Sequence, residues 1–225
     1  MNLNLYHDVP DGLSRRATTF VSMHGVRAEP ADAEAHRAGW RELGVPDAEI
    51  DRAVAFQRRW GGLVLPPGPL HDDGPRYFEV DTPEEYSVER WDGPTVRGWW
   101  LEAGVQRSAV PYSFVIGPDG AYGVLADRWV PLHESVEGWI ESLALTYHAT
   151  AWARRITKVT GATPEEFGLD GFAPVAEVRG MGDTWWRGAD SLVAVHLERT
   201  VCLGGPATFT AWTYSGLDEW GLHGL

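Results

Sequence analysis

Between Pro46 and Pro66 the apolar positions change their period. Ile50, Ala53, Phe56 and Trp60 fall at spacings of three, three and four, which is one face of a helix. Pro46 suits the first helical position. Arg52, Arg58 and Arg59 fall to the other side and are expected in solvent. Gly61-Gly62 follows Trp60, and Gly61 is expected to close the helix as a left-handed cap. Leu63-Val64-Leu65 is too short for anything but a strand, and it stops at Pro66.

Residues 1–30 carry weak signals, with a short apolar segment at Thr18-Thr19-Phe20-Val21. Residues 31–43 predict a short helix with Trp40 and Leu43 inward, closed by Gly44. Beyond Pro66 the pattern turns to strands. Arg76 to Val80 is one candidate, whereas residues 81–98 are acidic and turn-rich. Tyr112 to Ile116 and Ala121 to Leu125 flank Gly117-Pro118-Asp119-Gly120, which predicts a hairpin. A third strand is expected over Arg128 to Leu132, with Pro131 at its end or on a sheet edge.

Ser135 predicts an N-cap, with Glu137 at the positive end of the helix dipole. Val136, Ile140, Leu143 and Tyr147 give that helix its face, and Trp139, Trp152 and Ile156 widen it, so it is expected to be largely buried. Glu134 and Glu141 are expected in solvent. After the stretch Gly161 to Gly171, strands are expected over Val175–Val178, Thr184–Trp186, Leu192–Leu197 and Ala207–Tyr214, with a turn at Gly204-Gly205-Pro206. A β-rich extension over 159–225 is thus expected to pack on the part formed by residues 1–158.

Chemistry is sparse along this chain. His133-Glu134 runs into Ser135-Val136-Glu137 and lacks the second histidine of a zinc-protease helix. His71-Asp72-Asp73 sits in a Pro/Gly-rich stretch and reads as a solvated loop. The glycines Gly117, Gly120 and Gly123 lie inside a strand hairpin and do not open a helix, so a phosphate cradle fails on context. The acidic pairs Asp72-Asp73, Glu84-Glu85, Glu165-Glu166 and Asp218-Glu219 are sequence neighbours, whereas a glycosidase dyad spans about 5 to 10 Å across a cleft. Cys202 and His196 make a poor nucleophile pair without spatial contact. No catalytic residue, metal or cofactor is expected.

Composition adds a direction. Nineteen basic residues against thirty-two acidic give a formal charge of -13. Repulsion from phosphate disfavours nucleic-acid binding, and an acidic surface speeds encounter with a basic partner. The lone cysteine and an N-terminus without a signal-peptide pattern set a cytoplasmic expectation. No apolar run reaches the roughly 18 residues of a membrane span. Twelve tryptophans could line a groove, although core packing is the commoner use.

In order, the chain presents Trp60-Gly61-Gly62 with Pro66, then Phe114 with Gly120 and Gly123, then Ser135 with Trp139. Over roughly residues 40–156 this order resembles the SMI1/KNR4, or SUKH, superfamily. The resemblance implies an α+β domain over 1–158, a bent, mainly antiparallel sheet with helices packed on it, plus the C-terminal β-rich extension. It also implies a binding role, since bacterial members are commonly immunity proteins that neutralise toxin enzymes, many of them nucleases, by direct contact. The family shares no catalytic residues, and its glycines are structural. Asp81, Glu84, Glu85, Glu89 and Asp92 are the expected contact surface for a basic toxin enzyme. The other reading is an enzyme or small-molecule binder with a Trp-lined cleft, for example in a biosynthetic pathway.

Overall fold

The computed structural model describes residues 6–69, 74–106 and 110–223, so His71-Asp72-Asp73 lies outside the described residues. In chain order the elements are α1 (Arg15–His24), β1 (Val26–Arg27), α2 (Arg37–Glu42), α3 (Asp47–Trp60), β2 (Leu63–Leu65), β3 (Arg76–Val80), β4 (Glu84–Glu89) and β5 (Thr95–Gln106). Then come β6 (Ser113–Ile116), β7 (Tyr122–Leu125), β8 (Trp129–His133), α4 (Val136–Trp152) and β9 (Arg155–Gly161). The chain continues through β10 (Ala173–Pro174), β11 (Asp183–Arg187), β12 (Ser191–Leu197), β13 (Phe209–Ser215) and α5 (Glu219–His223).

This is an α+β fold with two sheets, and every pair of named strands is antiparallel. The larger sheet runs β1-β2-β3-β5-β6-β7-β8, with β4 joined only to β5. The smaller runs β10-β11-β12-β13-β9. The expected division at 158/159 falls inside β9, the outer strand of the smaller sheet.

Helix α4 explains how the sheets share one interior. A helix apolar nearly all round must be buried nearly all round. Ile140, Leu143 and Ala144 join the main core with Val195 and Leu197 of the smaller sheet. Leu145 and Ala149, on another side, pack with Trp185, Leu192 and Tyr214. Ser135 caps the helix as expected, its hydroxyl accepting from the Gly138 N–H. No helix among the described residues is long and apolar enough to cross a membrane.

Several expectations change. The acidic stretch 81–98 holds a hairpin, in which Glu84 to Glu89 pair with Thr95 to Trp100. A strand exposed along nearly its whole length carries no apolar alternation to mark it. Val175–Val178 is not a strand, because Ala176–Val178 forms a 3-10 turn. Ile156 belongs to β9, not to the helix. Leu43 is 71% exposed, because the short helix ends before it and only Trp40 turns inward. Glu141 is buried, 3% exposed, on the packed side of α4.

At the α3–β2 junction the two glycines exchange roles. Gly61 has φ -54 and is not left-handed; Gly62 carries the positive φ, +79. Gly61 is needed for space instead, since a Cβ there would lie 2.6 Å from Gln57 Nε2. Gln57 cannot yield, because Nε2 donates to the Ala31 carbonyl at 3.1 Å and Oε1 accepts from the Val80 N–H at 2.9 Å.

Candidate functional site

The motif residues converge on one aromatic chain. Trp60 meets Phe78 at 6.1 Å, Phe78 meets Trp139 edge-on at 5.7 Å, Trp139 meets Tyr122 at 5.6 Å, and Tyr122 stacks on Phe114 at 5.9 Å. The buried Arg76 guanidinium lies 3.3 Å from the Phe114 ring centre. Gly123 makes room at the β7–β8 crossing, where a Cβ would come within 2.8 Å of the Pro131 Cα. Gly120 takes the left-handed position of the hairpin turn, φ +87. Pro66 follows directly on β2 and is half-buried. These aromatic residues fill an interior.

The acidic stretch is the exposed counterpart. Glu84, Glu85 and Glu89 are all exposed on β4, and none of the three makes an ion pair among the described residues. Strand alternation splits them. Glu84 sits opposite Trp100 and lines a groove of about 320 Å3 with Asp81, Tyr86, Val88 and Glu102, while Glu85 and Glu89 alternate to the other face. Burial raises the Glu102 carboxyl above its ordinary value, and the Asp81 and Glu84 carboxylates push it the same way, while Ser113 pulls against them. Asp92 stands apart because Arg90 Nε donates to it at 2.6 Å. The outer edge of β4 has no strand partner among the described residues.

A buried polar cluster lies where the two sheets meet. Asp183 accepts from Arg199 Nη2 at 2.6 Å and from the Leu197 N–H at 3.2 Å, and His196 Nδ1 is 3.4 Å away. Burial alone would raise the Asp183 carboxyl, but Arg199 and His196 outweigh it and hold it well below the carboxylate range. Burial pushes the Cys202 thiol up to about 11, so it is neutral and a poor nucleophile. The cluster ties β11 to the turn after β12. Of the acidic pairs, Glu166 closes a capping box with Thr163, and Asp218 accepts from the Gly221 N–H at 2.8 Å. Among the described residues no three His, Cys, Asp or Glu side chains are placed to hold a metal ion.

Tryptophan is mostly interior. Only Trp152 and Trp220 stay widely open, at 48% and 46% exposed, and they stand together edge-on at 6.3 Å. They border a groove between α1, α4 and α5 that also holds Arg16, Phe20 and Tyr147. The sequence gives little warning of it. Arg16 lies in the weakly patterned N-terminal stretch, and its neighbours across the groove are more than a hundred residues away.

The acidic face of β4 and the aromatic groove are thus two surfaces of the described residues with unspent chemistry. Comparison with protein-family models, with curated proteins and with solved structures returns no match for this chain.

Proposed function

We propose that this protein is a non-catalytic binding protein that docks a basic protein partner on the β4 edge and neutralises it by contact, in the manner of an immunity protein acting on a toxin enzyme in the cytoplasm. The observation that carries this is the outer edge of β4, which has no strand partner among the described residues, with Glu84, Glu85 and Glu89 exposed and without cationic partners among them. An edge strand offers backbone donors and acceptors to an added strand, and flanking carboxylates select a basic one. The formal charge of -13 supplies steering toward a cationic surface. The immunity role rests further on the resemblance in motif order to the SUKH superfamily.

The test uses as its probe a toxin-like domain encoded beside this gene, and a gene neighbourhood without one overturns the immunity role. Calorimetry at about 50 and 300 mM salt is expected to show affinity falling as exposed charges are screened. Replacing Glu84, Glu85 and Glu89 together by Gln should weaken binding at low salt. Salt-independent binding, an unchanged Kd in the triple variant, or no binding to that domain overturns the proposal.

A further inference from the structure

Arg16 is a buried cation whose Nε donor is unfilled among the described residues. Its side chain is 8% exposed, and no described residue accepts from Nε. Among the described residues its one ion pair is with Glu141, where Nη2 and Oε2 are 4.0 Å apart, beyond hydrogen-bond range. Glu141 is already engaged, since Ser14 donates its backbone N–H to Oε1 at 2.5 Å and its hydroxyl to Oε2 at 2.7 Å. A guanidinium presents five N–H donors in a fixed fork, and buried donors in folded proteins are nearly always satisfied. Burial lowers the Arg16 guanidinium from its ordinary value, against the pull of Glu141 and Glu177.

Arg16 lines the groove between α1, α4 and α5, whose volume is about 470 Å3. That falls within the roughly 300–1,000 Å3 of small-molecule sites. The other walls are mainly aromatic. Phe20 and Tyr147 stand 4.9 Å apart, and Trp152 meets Trp220 edge-on at the rim. His148 fixes the Trp220 side of the groove: its Nε2 lies 3.1 and 3.0 Å from the Trp220 and Gly221 carbonyls. Two acceptors require that this nitrogen carry the proton. Arg15 also lines the groove, exposed and without an ion pair among the described residues.

An occupant must cover aromatic walls and supply acceptors to Arg16. Glu141 and Glu177 act on the charge of Arg16 and Arg187 acts against them, yet Glu141 fills none of its donors, and Arg15 adds a second guanidinium at the groove. A carboxylate answers both, because it accepts from a guanidinium in a two-bond fork. We propose that this groove binds a small aromatic monocarboxylate, its carboxylate held by Arg16 and Arg15 and its ring placed among Phe20, Tyr147, Trp152 and Trp220. The site shares no residue with the acidic edge, and either can exist without the other.

Calorimetry on the full chain, with 1-naphthoate, 3-phenylpropionate, decanoate and the neutral 1-naphthamide as probes, tests this. 1-Naphthoate is expected to bind with a Kd below about 1 mM. The amide should bind at least about tenfold more weakly for want of the charged fork. Arg16→Met should weaken the acid about tenfold or more and barely change the amide. Should Arg16→Met fail to fold by circular dichroism, the exposed-residue variants Arg15→Gln and Trp220→Ala decide: the first weakens the acid alone, the second weakens acid and amide together. No saturable binding of either aromatic acid up to about 5 mM, equal binding of acid and amide, tighter binding of decanoate, or indifference to Trp220→Ala overturns the assignment.

Discussion

The Arg52 guanidinium donates to the carbonyl of Gly117 at 2.9 Å, although the two residues are 65 positions apart. The same side chain donates to the Trp99 carbonyl at 2.6 Å and to Glu49 at 2.8 Å. It therefore ties α3 to β5 and to the hairpin turn between β6 and β7 at once. Helical spacing puts Arg52 on the solvent side, yet the hairpin folds over that side and supplies acceptors. Arg52→Met keeps the packed stem and strands both carbonyls, so a loss of about 1–3 kcal/mol is expected. Urea unfolding should show a lower midpoint with an unchanged slope. Arg52→Lys should restore only part of it, because a point charge cannot fork between two acceptors. A midpoint equal to that of the unaltered protein in Arg52→Met would remove the tie from the fold's energetics.

Gly61 and Gly62 make separable predictions. Gly61→Val must displace the Gln57 side chain, which leaves the Ala31 carbonyl and the Val80 N–H unpaired, at a cost of about 3 kcal/mol or more. Gly62→Ala meets a different obstacle: φ of +79 and a Cβ 2.6 Å from the Ala28 carbonyl. About 1–3 kcal/mol is expected there from backbone strain and the clash. Thermal unfolding of the two variants gives the ranking. If Gly61→Val kept full stability but lost partner binding, these glycines would belong to a binding surface.

What could be read from the sequence was local. The α3 and α4 faces, the Ser135 cap and the Pro118-Asp119-Gly120 turn all follow from periods and turn chemistry within a few residues. The β4–β5 hairpin escaped because β4 is exposed along nearly its whole length, so it lacks the alternation that marks a half-buried strand. Glu141 escaped for another reason. A carboxylate is exposed by default, and the partners that permit its burial, Ser14 and Arg16, lie 127 and 125 positions away. The aromatic groove depends on the same long-range docking of α1 onto α4.

The split of the acidic residues across β4 predicts unequal effects on partner binding. Glu84 faces the groove with Asp81 and Glu102, whereas Glu85 and Glu89 share the opposite face. A strand added at the β4 edge meets both faces, so Glu84→Gln and the Glu85→Gln/Glu89→Gln pair should each slow association. Exposed single charges should cost affinity by no more than about 1 kcal/mol each. Surface plasmon resonance against the toxin-like domain separates association from dissociation rates. An effect confined to one face would mean that the partner covers that face and does not extend the sheet.

Acid sensitivity should come first from His133. It is fully buried in β8, with Nδ1 3.1 Å from the Val178 carbonyl, so Nδ1 carries the proton and Nε2 is left without a partner among the described residues. Burial pushes its pKa down to about 4; Asp183 and the Val178 carbonyl pull it upward, and Arg199 and His196 act with burial. The unfolded chain takes up this proton near pH 6.5, the folded chain only near 4. Between those values the unfolded state binds more protons, so stability is full above about pH 6.5 and declines as pH falls toward 4, by on the order of 3 kcal/mol. His148 is also lowered by burial and adds to the same slope. Asp183 acts later, because its depressed carboxyl loses its contribution only below the ordinary carboxylate range. Urea unfolding at pH 7, 5.5 and 4.5 should therefore show a steep decline that is much reduced in His133→Gln, even though that variant starts less stable at pH 7. An equal slope in both proteins would assign the acid sensitivity to groups other than His133.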